Sequence, residues 1–266
     1  MIKIAVYNRK GGTGKTTISV NLAGVFEKIH KMRVLVIDCD TQMNSTKFLL
    51  TNNTKPIGYT LADFFNNGIS LSDAIVRCSF PVGVKKDGSL KESIDSDIHI
   101  IPIVETAIHV ENIRVLKDAL NELDDQFDIC ILDCPPALSD ESLAGICSAD
   151  YIIVPAQADD DSLGGYQLLV NTVNHIRQNG YNLNLSILGV VMNNIAVHEA
   201  FDNYMFLMTK GGLKKDLFSS YLRRAAALRK ARHFGMPISY FAPNEKIAQD
   251  FERLAEEVLT RIEIRK

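Results

Sequence analysis

A chain of 266 residues with 46% apolar and 23% charged residues can bury a sizeable core, which excludes a disordered or fibrous polymer. No apolar run approaches the ~20 residues of a bilayer span, and the five cysteines form no C-x-x-C pair, so membrane-spanning, disulfide and zinc frameworks give way to reduced thiols in a cytoplasmic protein. The net charge of −3 hides an uneven distribution, because residues 210–233 carry eight basic side chains and one acid, Asp216.

In chain order, Met1 leads straight into an apolar run predicted as a strand at 2–7, which leaves no room for a signal peptide. A glycine-rich turn follows, then a helix at 16–30. Further strands are expected at 33–38, 98–103, 128–133, 150–155 and 185–192, with a weaker one near 216–221. Helices are expected at 108–124, 141–148, 162–178, 198–209, 224–233 and 245–262, the last one opening after Pro243. The polar stretch 79–97, with Lys85, Lys86, Asp87, Gly88 and Ser89, reads as a hairpin or loop. Alternation of strands and helices predicts an α/β fold, a mostly parallel twisted sheet flanked by helices, in a single domain over 1–266.

The turn after the first strand carries the chemistry. Lys10, Gly11, Gly12, Thr13, Gly14, Lys15, Thr16 and Thr17 stand between a strand and a helix. There, backbone N–H groups and a helix N-terminus can surround a polyphosphate. In a P-loop, Lys15 reaches the β- and γ-phosphates and the Thr16 hydroxyl binds Mg²⁺. The general pattern asks for glycine at position 9, where this chain has Arg9, and it has no use for the second lysine, Lys10. Two further strands end in carboxylates: Asp38-Cys39-Asp40 and Asp133-Cys134-Pro135-Pro136. Carboxylates at the C-terminal ends of parallel strands project into the ligand crevice, and Asp133 matches the Walker B position that holds Mg²⁺ directly or through water. Taken singly, each could instead cap the loop that follows it.

Residues 10–17 closely resemble the deviant Walker A motif of the ParA/MinD family of P-loop ATPases. The resemblance implies that Lys10 crosses a dimer interface to the nucleotide of the partner subunit. Asp38-Cys39-Asp40-Thr41-Gln42 is similar to the family's D-x-D-P-Q segment, with Thr41 in place of proline, and implies that Asp40 positions the attacking water. Asp38 is the alternative for that role and a further candidate metal ligand beside Thr16 and Asp133. Asp133-Cys134-Pro135-Pro136 looks like the D-x-P-P switch that responds to the γ-phosphate. Asn193 matches the position that reads the adenine edge, and the loop with Pro243 and Asn244 resembles the one that closes over the base. No guanine-reading Asn/Thr-Lys-x-Asp motif occurs, so ATP with Mg²⁺ is the expected nucleotide.

Arg223, Arg224, Arg229, Lys230 and Arg232 cluster around one predicted helix, where several can share a face. Such a cluster is either a solvated helix face or a polyanion site. In the family, basic residues of the C-terminal part bind nonspecific double-stranded DNA in the ATP-bound homodimer. The resemblance therefore implies a nucleoid-associated ATPase for plasmid or chromosome partition, stimulated by a ParB-type centromere-binding protein. A MinD-like positioning protein for another cargo is the alternative. The C-terminal segment lacks the aromatic face and basic flank of an interfacial anchor, so no membrane attachment is expected.

Overall fold

The computed structural model of the protein describes residues 1–53, 56–81, 91–209, 213 and 215–265. The strands are β1 (Ile2–Val6), β2 (Val34–Asp38), β3 (Val76–Pro81), β4 (Ser93–Ile101), β5 (Ile129–Asp133), β6 (Tyr151–Ala156), β7 (Ser186–Ile195) and β8 (Leu217–Arg223). Between them lie α1 (Lys15–Lys28), α2 (Asn44–Leu49), α3 (Leu61–Asn67), α4 (Val115–Asn121), α5 (Asp140–Ser148), α6 (Asp160–Gln178), α7 (Ala200–Thr209), α8 (Ala226–His233), α9 (Ile238–Phe241) and α10 (Lys246–Arg265). All eight strands form one sheet in the order β3-β4-β2-β5-β1-β6-β7-β8, parallel except for the β3–β4 hairpin at one edge.

Strands β1, β2 and β5 are apolar runs because helices cover the sheet on both faces, giving two hydrophobic clusters. With β1 between β5 and β6, and β2 beyond β5, the C-terminal ends of these strands meet at one edge. Register there places Asp133 opposite both Val6 and Asp38. The turn after β1 and the two carboxylate strand ends thus converge, as their positions in the sequence predict.

Several expectations shift. The segment 79–97 belongs to the β3–β4 hairpin, whose strands reach outside that range, while Lys85 to Ser89 fall outside the described residues. The helix expected at 108–124 is confined to Val115–Asn121, because Asn112 opens a turn in which its side chain accepts from the Arg114 N–H. Helix α3 went unpredicted although Thr60 and Asp63 form a capping box before it and Gly68 ends it. Strand β7 runs on to Ile195, so that Asn193 and Asn194 lie within its end. Among the described residues no helix is long and apolar enough to cross a membrane.

The P-loop helix α1 is clamped from behind by the segment 235–241. The Asn21 side chain accepts from the Ile238 N–H at 2.6 Å, and Lys28 Nζ donates to the Ser239 carbonyl at 2.7 Å. Gly24 permits this approach, since a Cβ there would lie 2.5 Å from Pro237 Cβ and 2.7 Å from Ser239 Oγ. Gly24→Ala should therefore lower stability by about 1–3 kcal/mol in urea unfolding. Gly58→Ala, where a Cβ meets nothing within 4 Å, should change it by less than about 0.5 kcal/mol.

Candidate nucleotide-binding site

The loop between β1 and α1 is shaped by two glycines in the left-handed region, Gly12 (φ 75°) and Gly14 (φ 92°). Lys15 Nζ folds back on the loop and donates to the carbonyls of Asn8 and Lys10, each at 3.1 Å. Burial pulls its ammonium below the ordinary lysine range, against the opposing charges of Asp133 and Asp40. The first N–H groups of α1 have no partners within the helix and open onto the same loop.

Two buried amides brace the loop from either side. Asn8 donates from Nδ2 to the Pro155 carbonyl on β6 at 2.6 Å and accepts the Lys10 N–H at 3.0 Å. Asn193, at the end of β7, donates from Nδ2 to the Thr13 carbonyl at 2.7 Å. That amide packs where a side chain on Gly14 would stand: a Cβ there would be 2.1 Å from Asn193 Nδ2. Asn193, the residue expected at the adenine edge, thus also braces the P-loop, and it lines the cleft together with the exposed Asn194, which is in a left-handed conformation.

Asp133 and Asp38 sit side by side, both inaccessible to solvent. Asp133 accepts from Thr16 Oγ1 at 2.7 Å, Ser19 Oγ at 3.0 Å and Ser45 Oγ at 2.6 Å. Burial raises its pKa, and the three hydroxyls oppose the rise. Asp38 accepts from the N–H groups of Thr46 (2.7 Å) and Asp40 (3.1 Å), while burial and the charge of Asp133 push it up to about 7. With each oxygen accepting from a backbone amide, Asp38 anchors the 40–46 segment to the end of β2. Asp40 is the acid that faces the cleft, beside Gly11, Gly12, Lys15, Thr16, Gln42 and Pro136.

A Mg²⁺ ion binds through one or two protein oxygens plus phosphate and water. The adjacent Thr16 hydroxyl and Asp133 carboxylate fit that need. Among the described residues no group of three or more His, Cys, Asp or Glu could hold a metal without such help. Lys10 is partly exposed, its Nζ 2.6 Å from Asp159 Oδ2 on the loop after β6.

The basic residues divide. Arg223 makes a two-pronged pair with the buried Asp250 on α10, at 2.5 and 2.8 Å, and so serves as a clasp between β8 and α10. Arg223, Arg224, Arg229 and Arg232 line a cleft of about 610 Å³ together with Gly12, Gly14, Thr17, Asn193 and Asn194. Arg224 also borders a second cleft of about 780 Å³ on the other side of α8, with Lys230, Asn244 and Lys246. Asn244 lines this second cleft, and the neighbouring Pro243 is exposed. Lys210 and Lys214 lie outside the described residues.

Asn8, Ser19, Ser45 and Asp159 carry roles here that no motif in the sequence assigns to them. Ser19 could have been found, three residues after Thr16 on one helix face; Ser45 carries no local signal. Asn193→Ala should destabilise by about 1–3 kcal/mol, because it leaves the Thr13 carbonyl unpaired. It should weaken nucleotide binding in calorimetric titration through loss of loop shape.

Residues 1–187 match the family described as AAA domain. The chromosome-partitioning ATPase Soj of Thermus thermophilus is 28% identical, over 98% of this chain and 96% of its own length. Among solved structures, the McdA–ATP complex of Cyanothece superposes with a TM-score of 0.75 at 23% identity, covering 98% of this chain and 96% of that one. The septum site-determining protein MinD of Pyrococcus horikoshii, complexed with Mg-ADP, gives 0.70 at 22% identity, covering 100% and 98%. With the P-loop, its second lysine and the paired strand-end aspartates assembled at one sheet edge, the chain belongs to the ParA/MinD family of P-loop ATPases.

Proposed function

We propose that residues 1–266 form a single ATPase domain that partitions plasmid or chromosomal DNA as an ATP-dependent homodimer. What carries this reading is the second lysine. Lys15 is tied to the carbonyls of its own loop, whereas Lys10, at the start of that loop, is partly exposed in an ion pair with Asp159. A partly exposed cation is suited to reach a phosphate held by a second copy. The match to a chromosome-partitioning ATPase along nearly the whole chain supports the choice of cargo.

In this scheme Lys15 and the N–H groups of the loop neutralise and orient the phosphates. Thr16 and Asp133 hold Mg²⁺, which supplies further charge neutralisation when bound. Asp40 faces the cleft and orients the attacking water. Ser45 and Thr46, bonded to Asp133 and Asp38, carry the state of the strand ends into the segment 38–44, while 133–139 forms the second responsive loop. Arg224 and Lys230, joined by Lys246, form the outward basic face that takes double-stranded DNA without sequence preference. Pairing two protomers doubles that charge and makes DNA binding nucleotide-dependent. A ParB-type protein on the cargo stimulates an otherwise slow hydrolysis. The protein works in the cytoplasm, on the nucleoid.

Gel retardation on unrelated DNA should show binding with ATP and little with ADP or no nucleotide. Retention should fall steeply between 50 and 200 mM salt, by about tenfold or more. A dimer indifferent to DNA would move the reading to a positioning protein for another cargo. Lys10→Ala should bind ATP yet stay monomeric in light scattering, and an unaltered ATP-dependent dimer would remove the cross-subunit role. Asp40→Ala should hold the ATP-bound dimer with hydrolysis reduced by about a hundredfold or more, as measured by phosphate release.

A further inference from the structure

Arg232, in the last turn of α8, is placed unlike the rest of the basic cluster. It lines the phosphate side of the P-loop cleft with Gly11, Lys15, Asp40 and Asn44, and also the adjoining cleft with Asn193 and Asn194. The other residues common to both walls are Gly12, Gly14 and Thr17. Phosphates held by a strand–loop–helix turn run past the loop glycines and the first helical residues. A guanidinium sharing its wall with those residues is placed for the phosphate chain.

Its charge is also available. Arg223 shares Asp250 with Arg253, whereas Arg232 makes no ion pair among the described residues; one terminal nitrogen donates to the neutral Asn44 Oδ1 at 3.0 Å. Asn44 opens α2, directly after the segment that carries Asp40. Arg232 therefore spans from α8 to the loop that faces the reacting end of a triphosphate.

We propose that Arg232 is a phosphate-binding cation of the nucleotide site, added to Lys15 from the same chain, and that its grip seats α8 against the cleft. The helix that carries Lys230 and follows Arg224 would then register bound nucleotide directly. The inference rests on the P-loop being an ATP site, and it removes Arg232 from the DNA-contact set.

The test is equilibrium titration of the full chain with fluorescent derivatives of ADP and of a non-hydrolysable ATP analogue, in the presence of Mg²⁺. Arg232→Ala and Arg232→Gln should each weaken both nucleotides by about tenfold and flatten the salt dependence of binding. Arg232→Lys should recover to within about threefold, and adenosine should compete equally in every variant. Amide exchange over 226–233 should slow on nucleotide addition in the wild type and not in Arg232→Gln. Wild-type affinity in both neutral variants overturns the inference, and so does a loss with unchanged salt dependence that lysine fails to recover, which marks a purely structural tie to Asn44. In either case loss of binding in Lys15→Ala would show that the ATP site itself stands. If the wild type binds neither nucleotide, the ATP reading fails and this inference with it.

Discussion

A loop that must offer its backbone N–H groups to a ligand cannot use them to hold itself in shape. The turn between β1 and α1 meets this constraint with side chains. Asn8 ties its start to β6, Asn193 ties its middle to β7, and Lys15 gathers two of its carbonyls around one ammonium. Each such bond contributes about 1 kcal/mol net, but an unpaired buried carbonyl costs about 1–3 kcal/mol, so the braces act chiefly by forbidding other loop shapes. Gly14 completes the arrangement, because the Asn193 amide fills the space a side chain would need.

The carboxylates follow a related logic. Asp38 and Asp133 are forced together by strand register, in a place where both are driven toward the neutral form. Three hydroxyls and two backbone amides hold the pair. Two of those partners, Ser45 and Thr46, belong to α2, so the position of this short helix depends on the charge gathered at the strand ends. Behind the acids, the buried thiols of Cys39 and Cys134 both pack on Gly145 of α5 and leave no space between the two strand ends and that helix.

What could be read from the sequence was whatever a single segment encodes. The glycines and lysines of 10–17, the apolar runs of β2 and β5 and their terminal aspartates each announce themselves locally, and the parallel sheet follows from their alternation. The braces could not be read that way. Asn8 meets Pro155 across 147 residues and Asn193 meets Thr13 across 180, and only the strand order brings these together. Asn193 and Asn194 are neighbours of the same type and both line the cleft; that Asn193 also braces the loop depends on how far β7 continues. Arg223 looked like its neighbours until Asp250, buried on α10, claimed it. Short α2 hides because six residues hold too little periodicity to separate helix from turn.

The contact between Lys10 and Asp159 has a thermodynamic corollary for the association proposed above. Each protomer already pairs Lys10 with Asp159, so in that association the lysine would leave a carboxylate for a phosphate. Its contribution would then be the difference between two anions competing for the same ammonium. A richer, more highly charged phosphate chain tilts that competition and a shorter one relaxes it, so the aspartate acts as an internal reference against which the bound nucleotide is weighed.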